Sequence, residues 1–273
     1  MLADSQIFME SVPISNNNGE FRRSPVKPMS GSKMLARIAK HEAKLEKQSL
    51  KMVPTIGRKA SQCYESLGQL LFHAECIGCC VYNCVGGGES DHAVPYLVAK
   101  VSSFGRAALR LTMMGFYDEA LIIVRSIGEI TNLFSLFNLD PKSIEEWKKS
   151  DRAYRRTHFS PSKVRHRIES LGGTPMISSS KYASLCEVGT HAVPTARLQR
   201  YNHPGRSITG GVVVQPPGIL VVLNEMALAL PFLVILAAKI CKVPTATYEE
   251  IRKVAIDCLK SGGAFNWTPS MKS

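Results

Sequence analysis

Between Ile219 and Ile240 the chain is aliphatic for nearly its whole length. A run of that size either crosses a bilayer or forms the centre of a core, since about 20 apolar residues span the hydrocarbon layer. Asn224 and Glu225 lie within the run, Pro231 sits at its middle and Lys239 near its end. A carboxylate is costly in hydrocarbon, whereas a core helix can turn Glu225 toward a polar seam. The expectation is therefore a buried central helix from Gly218 to Cys241, and no membrane partner.

The rest of the pattern points to helices packed around it. Residues 117–139 carry Ala120, Leu121, Ile123, Val124, Ile127, Ile130, Leu133, Phe134 and Phe137, an apolar stripe of helical period. Arg125 and Glu129 interrupt that stripe four residues apart, which places them on one face. Further helices are expected over about 33–51, 55–85, 93–114, 141–158, 161–171, 179–192 and 247–260, with Pro54 breaking the first. Residues 207–215, rich in Val, Gly and Thr and closed by Pro216-Pro217, predict one short β-hairpin. The fold class is all-α, a multi-helix bundle with that hairpin. Residues 1–54 read as a flexible lead-in and a basic amphipathic helix, 55–262 as the bundle domain, and 263–273 as a tail.

Function classes narrow by absence of motif. The chain has no Gly-x(4)-Gly-Lys-Ser/Thr loop, no Gly-x-Gly-x-x-Gly after a strand, no His-Glu-x-x-His and no Gly-x-Ser-x-Gly. Nucleotide-driven motors, dinucleotide oxidoreductases and common hydrolases lose support, and no cofactor is expected. Of eight cysteines, five fall within Cys63–Cys84, a clustering unlike a secreted disulfide scaffold, so the expected location is cytoplasmic. His73, Cys76, Cys80 and Cys84 share a helical face. Zinc draws ligands from two segments as a rule and no second Cys-x-x-Cys exists, so packing is favoured and no metal ligand is assigned.

The net charge of +12 suggests an anionic partner. It concentrates in residues 20–60, with eleven Lys/Arg against three Glu, and in residues 142–167, with nine against three acids. The second segment adds Tyr154, His158, Phe159 and His166. Cations that meet phosphates, beside rings that stack on bases, are what a single-stranded nucleic-acid surface requires. A plain solvated helix face has the same composition, and both readings stand.

Two stretches carry a family likeness: Gly115-Phe116-Tyr117-Asp118-Glu119-Ala120, running on to Arg125-Ser126-Ile127-Gly128-Glu129, and Lys181-Tyr182-Ala183-Ser184-Leu185-Cys186 leading to His191. Together they resemble an uncharacterised bacterial family of helical proteins, a domain of unknown function. In it an aromatic-Asp-x-Ala segment leads into Arg-Ser-x-x-Glu, and a Tyr-x-x-Leu-Ser helix ends near a histidine. The resemblance covers about residues 55–260. It departs at Cys186, where serine is expected, and at Gly128, where a bulkier residue is. Some members are distantly similar to HEPN proteins of toxin and antiphage systems, many of them metal-independent ribonucleases with an Arg-x(4–6)-His motif. That step is analogy at the level of fold. The resemblance implies a bacterial defence or stress-response protein that binds nucleic acid or a phosphate-bearing ligand, in a helical family in which homodimers are common.

Candidate residues follow. Arg125, Glu129, Tyr182 and His191 offer a guanidinium, a carboxylate, a phenol and an imidazole able to hold a phosphate and move a proton. The competing reading is an ion pair that ties helices together, with His191 capping a helix end. Arg152-x(5)-His158 and Arg197-x(5)-His203 both fit the HEPN spacing, but chance supplies about one such match in a chain of this composition. Of the two, Arg152 and His158 lie on the basic segment, with Tyr154, Arg155 and Arg156 as further RNA contacts. Three classes remain: a ligand-binding module, a metal-independent ribonuclease, and a scaffold whose basic helices dock a partner protein.

Overall fold

A helix as apolar as residues 216–240 buries its side chains only if neighbours surround it on most sides. In the computed structural model, which describes residues 30–82, 92–189 and 214–262, that is its position. Ten helices are described: α1 Gly31–Ile56, α2 Arg58–Gly78, α3 Ala93–Met113, α4 Tyr117–Leu139, α5 Lys142–Lys149, α6 Arg152–His158, α7 Pro161–Ser170, α8 Ser179–Gly189, α9 Pro216–Ile240 and α10 Thr245–Gly262. Helix α9 packs against α2, α3, α4 and α10, and touches α1. Ile219, Val222, Leu223, Met226, Leu230, Leu233 and Val234 are fully enclosed there. Both α9 and α4 are long and apolar enough to cross a membrane, and each lies largely inside the bundle.

The all-α expectation holds, since no strand occurs among the described residues. The hairpin expected over 207–215 is not supported. Its last two residues, Val214 and Gln215, lead without pairing into α9, and residues 207–213 lie outside the described residues. Pro54 does not end the first helix. It sits in the last turn of α1, which runs on to Ile56 and stops at Gly57, whose φ of 146° suits glycine. Leu45, Ser49 and Val53 of α1 are buried, so its second half is docked on the bundle. The expected helix over 141–158 is two helices, because the Asp151 carboxylate accepts a hydrogen bond from the Tyr154 N–H at 2.7 Å and so starts α6 afresh. The helix expected to reach Val85 ends at Gly78, two residues before Cys80 adopts a left-handed φ of 55°.

Helix α4 organises one side of the bundle, where α5, α7, α8 and α9 all meet it. Two of its buried polar side chains grip backbone elsewhere. Asn132 Nδ2 donates to the Ile177 carbonyl at 3.0 Å, and the Ile177 N–H donates to Asn132 Oδ1 at 3.2 Å. In the same way the Gln215 N–H donates to the Tyr117 hydroxyl oxygen at 2.7 Å, and that hydroxyl donates to the Gln215 carbonyl at 3.2 Å. Burial pushes the Tyr117 phenol up to about 12, against the opposing effect of the Gln215 backbone. Close approach accompanies both grips. A Cβ on Gly128 would lie 1.7 Å from Ile177 Cδ1, and one on Gly218 would lie 2.4 to 2.7 Å from the Tyr117 ring. Asn132 thus fixes where α8 begins, and Tyr117 fixes where α9 begins.

Candidate functional site

On α4, Arg125 and Glu129 lie one turn apart and face α8, which carries Tyr182 and Cys186 one turn apart in turn. Arg125 Nε is 3.5 Å from Glu129 Oε1, and both side chains are largely sheltered. Arg125 Nη1 donates to Cys186 Sγ at 3.2 Å, a weak acceptor for a cation. The Arg125 guanidinium sits 5.5 Å from the centre of the Tyr182 ring. So three of the four expected residues, Arg125, Glu129 and Tyr182, do converge, and they tie α4 to α8. His191 lies outside the described residues.

A further cation joins them. Arg165, on α7, stands over the same Tyr182 ring at 4.9 Å and is 7% exposed. Sequence reasoning missed it, because α7 reads as a short charged helix. The available signal was its neighbours. Val164 and Ile168, one turn apart, are both buried, and residue 165 lies only 100° round the helix from Val164. At the rim of the cluster Lys181 donates to Glu225 of α9, so the one carboxylate of the apolar run is neutralised from α8.

Electrostatics here is a contest between burial and charge. Burial raises the Glu129 carboxyl above its ordinary range, while Arg125, the Tyr182 hydroxyl and Arg165 act in the other direction and do not prevail. Tyr182 is pushed up as well, first by burial and then by the Glu129 charge. Two guanidiniums therefore face a single carboxylate whose charge is already disfavoured. The cluster holds a surplus of positive charge in a sheltered place.

No family model, curated protein or solved structure matches the chain. The reading of its sites therefore rests on the chemistry of its own residues.

The basic segment forms a second, separate surface. Helix α6 buries none of its side chains, and Arg152, Arg155, Arg156 and Tyr154 are all exposed. The Tyr154 and His158 rings stack with centroids 3.9 Å apart and planes 14° from parallel. Tyr154 donates to Glu146 of α5 at 2.9 Å, a bond that pushes the phenol upward, and Arg155 Nη1 donates to the Ser150 carbonyl. Arg167 of α7 pairs with Glu146 at 2.9 Å and Asp140 at 3.5 Å, and lies 5.0 Å from the Phe159 ring centre. This exposed helix is thereby held between α5 and α7. His158 Nδ1 is engaged by the Thr157 hydroxyl at 2.8 Å and the Tyr154 carbonyl at 3.2 Å. His158 lies six positions after Arg152, which on a helix sets them roughly 120° apart rather than on one face.

Among the described residues no three His, Cys, Asp or Glu side chains gather as metal ligands would. His73 Nδ1 lies 3.0 Å from the Tyr82 hydroxyl and Cys80 Sγ 3.5 Å from His92 Nδ1, while Cys76 is buried and Cys84 lies outside the described residues.

Proposed function

We propose that this chain is a non-catalytic binding module for RNA or another phosphate-bearing ligand, with α6 as its contact surface, in the defence or stress-response setting that the family resemblance implies. The observation that carries the reading is that α6 contributes nothing to the core. A helix whose every side chain faces outward is kept for what it presents, and α6 presents three arginines beside a stacked Tyr154–His158 pair. Arginines neutralise phosphates and release counterions, and the exposed ring pair extends a platform on which a base can stack. A binding role is favoured over cleavage because Arg152 and His158 diverge around the helix and the His158 ring is occupied by Tyr154.

The test is binding of the purified protein to a labelled single-stranded RNA by fluorescence anisotropy across a salt series. Replacing Arg152, Arg155 and Arg156 together by Gln should flatten the dependence of log Kd on log salt by about 2, at roughly 0.7 per lost phosphate contact. An unchanged slope refutes α6 as the contact surface. The same RNA is then followed on a gel with EDTA present. Cleavage that disappears in His158→Ala would replace the binding module with a metal-independent ribonuclease.

A further inference from the structure

Arg165 is the most enclosed charged side chain among the described residues, and its Nη1 is buried with no hydrogen-bond partner. A guanidinium withdrawn from water needs acceptors, because an unmet buried donor costs more than an ordinary hydrogen bond contributes. Tyr182 gives it a ring face, which balances part of the charge and satisfies none of the N–H groups. Glu129, the carboxylate that faces both arginines, is committed to Arg125 at 3.5 Å, and Lys181 and Glu225 neutralise one another. Residues 190–213, which follow α8 in sequence, contain no Asp or Glu to act as counter-ion.

We propose that Arg165 and Arg125, floored by the Tyr182 ring, form a recessed site for a phosphate monoester group. The two guanidiniums come from different helices, α4 and α7, and lie 5.5 and 4.9 Å from the same ring centre; donors supplied by two side chains suit a tetrahedral group with three terminal oxygens. A carboxylate is met by a single planar fork, so a pair of guanidiniums favours phosphate. Arg125 exchanges its weak thiol acceptor for a phosphate oxygen, and Arg165 Nη1 gains the acceptor that no described residue supplies. Tyr182, Arg125 and Glu129 retain partial exposure, so the group enters from the α4–α8 side. The site extends the phosphate-binding reading given above but rests on α4, α7 and α8 rather than on α6, so either proposal can fail without the other.

Arg165→Met keeps the stem and removes the charge. The experiment compares melting temperatures of wild type and Arg165→Met in phosphate and in chloride at matched ionic strength. Arg165→Met acts as the baseline for the general stabilising effect of phosphate on any folded chain. The wild type should gain more from phosphate than the variant does, and the variant should melt no lower than wild type in chloride, since an unmet buried charge has gone. Phosphate affinity, read from phosphorus NMR line broadening, should fall at least about tenfold, as expected for losing a charge-assisted hydrogen bond. Equal phosphate increments in both proteins overturn the site. Should Arg165→Met fail to fold, Arg165→Lys keeps the charge without the fork. Wild type that leaves the phosphate resonance sharp then overturns the proposal.

Three probes identify where the phosphate comes from: a nucleoside monophosphate, and one RNA oligonucleotide ending in either a phosphate or a hydroxyl. Protection by the mononucleotide assigns the site to free nucleotides, and preference for the phosphorylated end assigns it to an RNA terminus. No discrimination by Arg165 among the three removes the site. The triple α6 variant should keep its phosphate increment throughout.

Discussion

Replacing Asn132 by alanine isolates a single joint of the molecule. Asn132 is 2% exposed and Ile177 6% exposed, and between them run two hydrogen bonds of 3.0 and 3.2 Å. Alanine removes both partners and leaves one N–H and one carbonyl of Ile177 unsatisfied in a buried place, at about 1–3 kcal/mol each. Some relaxation toward solvent is available where the chain enters α8, so the expected loss is about 3 kcal/mol, a large share of a typical 5–15 kcal/mol. For a domain of this size that corresponds to a fall in Tm of about 6–12 °C. Urea unfolding should show a lowered midpoint at unchanged m-value, because the buried surface is the same. Asn132→Asp sharpens the test. Its carboxylate still accepts from the Ile177 N–H but turns a negative charge on the Ile177 carbonyl, so at neutral pH it should cost more than alanine. Acidification should recover part of that loss as the protonated acid regains a donor. An alanine variant within about 0.5 kcal/mol of wild type would refute the reasoning, since that is the range of an indifferent surface substitution.

Glu129→Gln tests the contest at the candidate site. Burial holds the Glu129 carboxyl above its ordinary 4.5, so the folded state binds the proton more tightly than the unfolded state does. The stability this contributes is complete below the ordinary value and is lost as pH rises through the raised one. Wild type should therefore lose stability relative to Glu129→Gln across that interval, and parallel melting curves would show that Glu129 is not desolvated. Gly218→Ala should destabilise by about 1–3 kcal/mol despite alanine's better helix propensity, because its methyl would meet the Tyr117 ring at under 3 Å. Thermal melts of Gly218→Ala and Tyr117→Leu, alone and combined, check the mechanism, and strict additivity would argue against a shared contact.

How far these features could be read in advance depended on how strongly each was punctuated. Helix α4 was legible to both ends, since an apolar stripe of helical period runs from Tyr117, interrupted by Arg125 and Glu129, and Asp140-Pro141 closes it. The long run of α9 likewise identified the centre of the core, and Glu225 found the polar partner its placement demanded in Lys181. The α5–α6 break was written in Ser150-Asp151, a capping signal hidden within an otherwise continuous charged stretch. Pro54 misled because a proline in a last turn removes only a bond on the fraying end, whereas the conformation of Gly57 decides the stop. In the candidate site, Arg125 and Glu129 were visible as charges within an apolar stripe, and Tyr182 through the resemblance. Arg165 was not, because α7 reads as a short charged helix, and its position beside Val164 and Ile168 marks it faintly until the contact with Tyr182 is seen.

The paired grips of α4 bear on how such a protein changes over generations. Asn132 and Tyr117 hold the chain at Ile177 and again at Gln215, and between them α8 is packed on α4 with Leu185 in the core. Insertions and deletions within α4, α8 or α9 would carry these buried contacts out of register, whereas exchange of an outward-facing residue leaves them in place. Descendants of this chain can thus rewrite Ala183, Ser184 and Glu187, the exposed positions next to Tyr182 and Cys186, and inherit the same bundle beneath them.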